Sequence, residues 1–152
     1  WSAFICGLLL GLGMSLAIWQ RGRRSPEVAA RAGVARTFRS PRIFPAMTVF
    51  ENILVAVEQC DYRKSSSLWP LINKARCVGR TEELIRSLGL ADQSFVFAQD
   101  LTRYEQRCLE VARGLAMDPR ILLVDEPAEG MNAQQQHALA SLILRNMKKR
   151  EN

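Results

Sequence analysis

The sequence predicts an α/β fold of partial extent, in which one strong buried strand is set among amphipathic helices. Three observations support it. Ile121 to Val124 is a continuous apolar run between Pro119 and Pro127, which is typical of a strand buried in a parallel sheet. Most of the other segments show helical periodicity with capping signals. The length of 152 residues suits one domain with its own core.

Residues 1–24 are predicted to form a hydrophobic helix that is separate from the rest. Ser2 to Trp19 contains no charged residue, and a helix of that length rises about 27 Å, close to the ~30 Å hydrocarbon thickness of a bilayer. The cluster Arg21-Gly-Arg-Arg24 follows directly, which would leave the C-terminal side of a membrane helix in the cytoplasm. Two interpretations stay open: a membrane-spanning or membrane-packed helix, and a buried segment of a soluble core.

Residues 25–152 form the second predicted unit, which begins with a short helix and a short strand. Ser25 is a good N-cap, Pro26 suits the first helical turn, and Gly33 ends the helix after Ala32. Val34 to Phe38 is the expected short strand. A loop that contains prolines follows this strand.

The remaining helices are marked by their caps and apolar faces. Thr48 is followed three residues later by Glu51, the pattern of a capping box at the start of a helix. Asp61 to Ser67 is polar and predicts a loop. Further helices are predicted at Asn73 to Leu88, Tyr104 to Met117 and Ala133 to Lys149.

Composition argues against two classes of function. The net charge is +6, but the basic residues are scattered and form no stripe with interleaved aromatics, so nucleic acid is not an expected partner. None of the four cysteines lies in a C-x-x-C pair and His137 is the single histidine, so a zinc site is not expected. Reduced, partly buried thiols and a surface position for His137 are the expectations, in agreement with a cytosolic face.

Two acidic residues stand at the end of the predicted buried strand. Asp125 and Glu126 would emerge at the carboxyl end, which is where open α/β sheets bind ligands. A carboxylate there can hold Mg2+ directly or through water, and an adjacent carboxylate can orient an attacking water. A solvated acidic turn explains the same two residues, and the strand end alone does not decide between these interpretations.

The surrounding residues carry a family resemblance. Leu101 to Glu126 resembles the signature-to-Walker-B stretch of ATP-binding-cassette (ABC) proteins. The matching positions are Gln106, Arg107, Leu109, Ala112, Arg113, Leu115, Pro119, Asp125, Glu126 and Pro127. Gly33 to Val55 is similar to the Q-loop segment of the branched-chain amino-acid (LivG-like) subfamily, and Ala128 to Asn132 is similar to its D-loop phrase. The resemblance covers about Ser25 to Arg150.

The resemblance implies that residues 25–152 are a partial ABC ATP-binding domain, with a helical subdomain and the Walker B strand. It implies ATP and Mg2+ as cofactors, with Asp125 on the metal side and Glu126 as the catalytic, water-side carboxylate. It also implies membrane permease subunits and a second ATP-binding subunit as partners, at the cytoplasmic face of the inner (cell) membrane. The signature position, which would meet the partner's nucleotide, comprises Leu101, Thr102, Arg103, Tyr104, Glu105 and Gln106.

Several positions depart from the family pattern. The 152 residues contain no G-x-x-x-x-G-K-[ST] string, and the nearest glycines are followed by Met14 where the lysine would stand. Arg39 occupies the position of the Q-loop glutamine and cannot accept a hydrogen bond. Tyr104 replaces the signature glycine, and its side chain would obstruct a close approach to phosphate. The family's switch histidine lies beyond Asn152, and His137 is not its equivalent.

These departures lead to one expectation and two alternatives. We expect a truncated or degenerate copy that by itself neither binds nor hydrolyses ATP appreciably, because the charge stabilisation that phosphoryl transfer needs is missing. The first alternative is a non-catalytic, membrane-tethered interaction module that docks a permease or an intact ATPase subunit. The second is a half-site completed in trans by an intact subunit, against which Tyr104 counts.

Overall fold

The computed structural model describes residues 26–38, 40–64, 70–127 and 129–148, together with Met14. The elements of this part are α1 (Pro26–Arg31), β1 (Val34–Arg36), α2 (Val49–Lys64), α3 (Pro70–Ser87), α4 (Arg103–Ala116), β2 (Ile121–Leu123) and α5 (Ala133–Lys148). Two short 3-10 helices, Ala91–Gln93 and Ala98–Asp100, connect α3 to α4.

The hydrophobic helix predicted at Ser2 to Trp19 lies, except for Met14, outside the described residues. Among the helices that the structure does describe, none has the length and apolar character needed to cross a membrane.

The two strands form a parallel pair. Val34 lies opposite Ile121, Ala35 opposite Leu122, and Arg36 opposite Leu123. The pair begins at a close approach, where the main-chain N–H of Arg120 donates to the Gly33 carbonyl over 2.7 Å. Gly33 has φ of +87°, and a Cβ there would lie 3.2 Å from the Arg120 side chain, so the position favours glycine on both counts.

The prediction that Ile121 to Val124 forms a fully buried strand is wrong. Ile121 is 54% exposed and Leu123 is 50% exposed, whereas Leu122 between them is half-buried. Leu122 faces α4, with its Cδ1 3.1 Å from the point that a Cβ on Gly114 would occupy. Successive side chains of a strand alternate between faces, so only the face of β2 that carries Leu122 packs on this helix.

Two predicted boundaries are also corrected. The strand expected at Val34 to Phe38 ends at Arg36, because the N–H and C=O of Phe38 are bonded to side chains of α4 instead of to β2. The loop expected at Asp61 to Ser67 is wrong for its first four residues, which continue α2 to Lys64. Asp61 in this last turn forms an ion pair with Arg76 of α3.

Helices α2, α3 and α4 pack together around the core, and α5 contributes Leu139 to it. The predicted cap of α2 is confirmed, since the Thr48 N–H donates to the Glu51 carboxylate over 2.8 Å and the Glu51 N–H donates to Thr48 Oγ1 over 3.2 Å. Core residues contributed by these helices include Val49, Ile53, Val57, Cys77, Ile85, Leu109, Val111 and Leu115. The core therefore lies in the helical part, and the strand pair lies beside it.

Candidate functional site

The carboxyl ends of β1 and β2 bring a basic and an acidic residue together. Arg36 is the last residue of β1, and Asp125 follows β2 by two residues. Because the strands are parallel and in register, both residues emerge at the same edge of the sheet. Arg36 Nη2 donates to Asp125 Oδ2 over 3.0 Å, with side-chain exposures of 58% and 45%. The metal-side carboxylate proposed from the sequence is thus already paired with a guanidinium.

The Arg36–Asp125 ion pair affects whether Asp125 can bind Mg2+. An ion pair exposed to this extent contributes only about 0.2–1 kcal/mol, but it places a cation where a metal ion on Asp125 would bind. Within the described ranges, no group of three or more His, Cys, Asp or Glu side chains is close enough to hold a metal. Asp125 would therefore have to release Arg36 before its carboxylate could hold Mg2+.

Glu126, the water-side residue of the sequence hypothesis, begins a tight turn away from the strand. Its φ is +42°, in the left-handed region that residues other than glycine rarely adopt. The Glu129 N–H donates to the Glu126 carbonyl over 3.3 Å, and Gly130 has φ of +75°. The turn leads into α5, where Asn132 Oδ1 accepts from the Gln135 N–H over 2.9 Å. Glu126 itself is exposed beside this turn.

The signature-like residues Leu101 to Gln106 form the N-terminus of α4. Thr102 is the N-cap, and a reciprocal capping box joins it to Glu105: the Thr102 N–H donates to Glu105 Oε2 over 2.8 Å, and the Glu105 N–H donates to Thr102 Oγ1 over 3.3 Å. Gln106 Nε2 donates to the Leu101 carbonyl over 3.2 Å. Leu101 is buried, and Arg103 is exposed. Several of these residues thus contribute to the start of the helix.

Tyr104 stands where the family has the signature glycine. Its side chain is half-buried and packs against the core, where burial raises the pKa of Tyr104 to about 12 and the neighbouring Cys108 thiol adds to the shift. Burial likewise raises the pKa of the Cys108 thiol to about 11. The Tyr104 side chain is thus partly enclosed by the core at the signature position.

A cleft of about 580 Å3 lies beside the signature-like residues. Its lining residues are Ser40, Pro41, Arg103, Gln106, Arg107, Glu129, Gly130 and Met131. The cleft brings the signature position next to the turn after Glu126 and to the residues that follow position 39. Neither Asp125 nor Glu126 lines it. Arg39 itself lies outside the described residues, although Phe38 and Ser40 on either side are placed.

The side chains of α4 that bind the Phe38 main chain were missed as functional residues by the sequence analysis. Arg107 and Glu110 are 5% and 6% exposed and form an ion pair of 2.7 Å. Two opposite charges three residues apart on one helix were the available signal. Their partner, Phe38, is 69 and 72 residues away in the chain, and no local pattern indicates it.

The remaining sequence expectations concern the histidine and the cysteines. His137 is exposed on α5, as expected. Cys60, Cys77 and Cys108 are buried, and Cys6 lies outside the described residues.

Comparison with known proteins gives three kinds of match. The family model described as ABC transporter matches residues 15–129. The high-affinity branched-chain amino acid transport ATP-binding protein LivG of Salmonella typhimurium is 37% identical over 127 residues, a match that covers 77% of this chain and 49% of that protein. LivG of Escherichia coli K12 matches with the same identity and coverage. The ribose import ATP-binding protein RbsA of Yersinia pestis is 31% identical over 122 residues, which cover 80% of this chain and 23% of RbsA.

Among solved structures, an ATP-binding cassette of an ABC transporter, MJ1267, superposes with a TM-score of 0.65 at 22% identity. The superposition covers 83% of this chain and 51% of that one. At this identity the likeness concerns the fold. The chain spans about half the length of the LivG proteins that it matches.

Proposed function

This chain belongs to the ABC transporter family, and from that premise we propose that it is an ATP-binding-subunit-like component of a transporter for branched-chain amino acids, degenerate at its nucleotide site. The observation that carries the substrate class is the 37% identity to LivG, against 31% to the ribose import protein RbsA. The segment Gly33 to Val55, which is similar to the LivG-like Q-loop phrase, supports the same branch of the family.

The proposed loss of ATP hydrolysis rests on two features of this chain. Its 152 residues contain no G-x-x-x-x-G-K-[ST] string, the loop whose lysine and backbone amides hold nucleotide phosphates in P-loop proteins. Asp125 forms an ion pair with Arg36, whose guanidinium would compete with a divalent cation for this carboxylate. Phosphoryl transfer depends on positioning and charge stabilisation. In this proposal Asp125 and Glu126 keep the position of the family's carboxylates without its chemistry.

The partners in this proposal are the permease subunits and a second ATP-binding subunit, at the cytoplasmic face of the cell membrane. The helical part of the chain contains most of its core and carries the signature position, and its helix α4 binds the main chain of Phe38. Association with a permease does not require ATP hydrolysis by this chain. A degenerate subunit of this kind can therefore still dock.

The test is co-purification with a permease of known substrate. The tagged chain is co-expressed with the permease subunits that work with Escherichia coli LivG, and the detergent-solubilised membranes are purified on the tag. We expect the permease to be retained and to be released by added LivG, because the two proteins would share a docking surface. The permease of a ribose importer is the matched control and should be retained less. Equal retention of both permeases, or of neither, would contradict the proposal.

A further inference from the structure

A second cavity, of about 770 Å3, lies between α1, β1, α2 and α4. It shares no lining residue with the cleft beside the signature-like residues. Its volume falls within the range of about 300–1,000 Å3 that is usual for sites of small ligands. Most of its wall is apolar and is formed by small and medium-sized residues, which include Ala29, Val34, Val55, Ala56, Gly114 and Leu123. The cavity can therefore take the apolar body of a small molecule.

Two arginines that line this cavity have their guanidinium groups against phenylalanine rings. Arg42 Cζ lies 4.5 Å from the centre of the Phe38 ring, and Arg113 Cζ lies 4.5 Å from the centre of the Phe44 ring. Arg113 Nη1 also donates to the Arg42 carbonyl, which connects the two residues. Because the face of an aromatic ring attracts a cation, these contacts position both guanidinium groups beside each other at the cavity.

The acidic groups nearby are bound to other arginines. Glu110 of the cavity wall forms an ion pair of 2.7 Å with Arg107. Arg36, a third arginine of the wall, is paired with Asp125 over 3.0 Å. Within the described ranges, neither of the two arginines stacked on phenylalanine forms an ion pair with a carboxylate. The wall therefore carries positive charge that the described carboxylates do not neutralise.

The two stacked arginines differ in how far water reaches them. Arg113 is half-buried, and burial lowers the pKa of its guanidinium, which the negative charge of Glu110 offsets only in part. A desolvated cation of this kind gains from an anion placed beside it. Arg42 is exposed, and the planar fork of an arginine can bind both oxygens of one carboxylate. An anionic head group is thus the expected complement to the apolar wall.

We propose that this cavity binds a small aliphatic carboxylate, with the hydrocarbon body against the apolar wall and the carboxylate on Arg42 and Arg113. An apolar pocket with a few polar groups that fix orientation is the usual form of a small-molecule site. A carboxylate is preferred to a doubly charged phosphate because the carboxylate of Glu110 in the same wall repels the larger charge more strongly. The proposal goes beyond the proposed function and does not depend on it, since it requires neither nucleotide nor permease.

The test is a titration of the full chain with sodium octanoate, followed by 1H–15N NMR. We expect saturable shifts of the Arg42, Ala56 and Gly114 amides and none at Leu144, which lies on α5 away from the cavity wall. Acetate has the head group without the body, and octanol has the body without the charge. Each should bind at least about tenfold more weakly than octanoate. Octyl phosphate should bind no more tightly than octanoate.

Two substitutions separate the head group from the body of the site. Arg42→Gln removes one charged donor and should weaken octanoate binding about tenfold, whereas Arg86→Gln removes an exposed arginine of α3 and should leave it unchanged. Val55 is 41% exposed in the wall, so Val55→Trp should fold and fill part of the cavity, with at least about a tenfold loss of affinity. Leu144→Trp adds the same ring at an exposed position of α5 and should have no effect.

Three results would overturn the proposal: shifts that do not saturate, octanol or octyl phosphate that binds more tightly than octanoate, and an octanoate affinity that neither Arg42→Gln nor Val55→Trp reduces. If Val55→Trp does not fold, Gln59→Trp replaces it, because Gln59 is another exposed residue of α2 in the same wall.

Discussion

Replacing Arg107 by methionine is expected to lower the free energy of unfolding by about 3–5 kcal/mol, because it leaves the Glu110 carboxylate buried without its counter-ion. Both side chains are almost fully buried, with exposures of 5% and 6%, so solvent does not compensate for the lost charge. Methionine fills much of the same space, which keeps the loss of packing small. Urea denaturation followed by circular dichroism measures the change.

Two comparisons separate the buried charge from a general effect of removing arginine. Arg86→Met removes an arginine from α3 whose side chain is exposed and whose ion pair with Glu82 spans 3.4 Å, so a loss below about 1 kcal/mol is expected. Arg107→Met combined with Glu110→Gln removes the uncompensated charge and should be more stable than Arg107→Met alone. A loss for Arg107→Met as small as that for Arg86→Met would show that the pair is not buried in solution.

Leu109→Ala is the second substitution with a large expected effect, a loss of about 2–5 kcal/mol in the free energy of unfolding. Leu109 is fully buried in α4, at the centre of the core that α2, α3 and α4 share. Truncation there removes apolar contacts and leaves a cavity that the packed helices cannot fill completely. The free energy of unfolding of a folded domain is only about 5–15 kcal/mol. The melting temperature of this variant should therefore lie well below that of the parent chain.

Leu144→Ala provides the matched control for the core. Leu144 belongs to α5 and is 61% exposed, so the same chemical change should alter stability by less than about 0.5 kcal/mol. If Leu109→Ala and Leu144→Ala lowered the free energy of unfolding by similar amounts, the core would not lie between the helices as described.

Local patterns predicted local structure well. Thr48 and Glu51 are three residues apart, and the capping box that they form depends on little beyond that spacing. Thr102 and Glu105 have the same spacing, and the capping box that they form defines the start of α4. Asp125 was expected at the end of a strand, and it follows β2 directly after Val124.

Contacts between segments that are distant in the chain could not be predicted from the sequence pattern. The exposure of Ile121 and Leu123 depends on how many strands and helices surround β2, which an apolar run cannot show. The Arg36–Asp125 pair joins residues 89 positions apart and follows from the register of β1 against β2. The sequence indicates Arg107 only as part of a family motif. Its partner Phe38 is 69 residues away in the chain, so no local pattern predicts their contact.

Phosphate release by the purified 152-residue chain, with ATP and Mg2+, tests most directly whether this family member has lost the family's chemistry. We predict a rate equal to that of the buffer alone, and the same rate for Glu126→Gln, because the 152 residues contain no G-x-x-x-x-G-K-[ST] string that could hold the phosphates beside Glu126. A clear rate of phosphate release that Glu126→Gln abolishes would contradict the account, since it would show that the strand end still operates as an ATPase site.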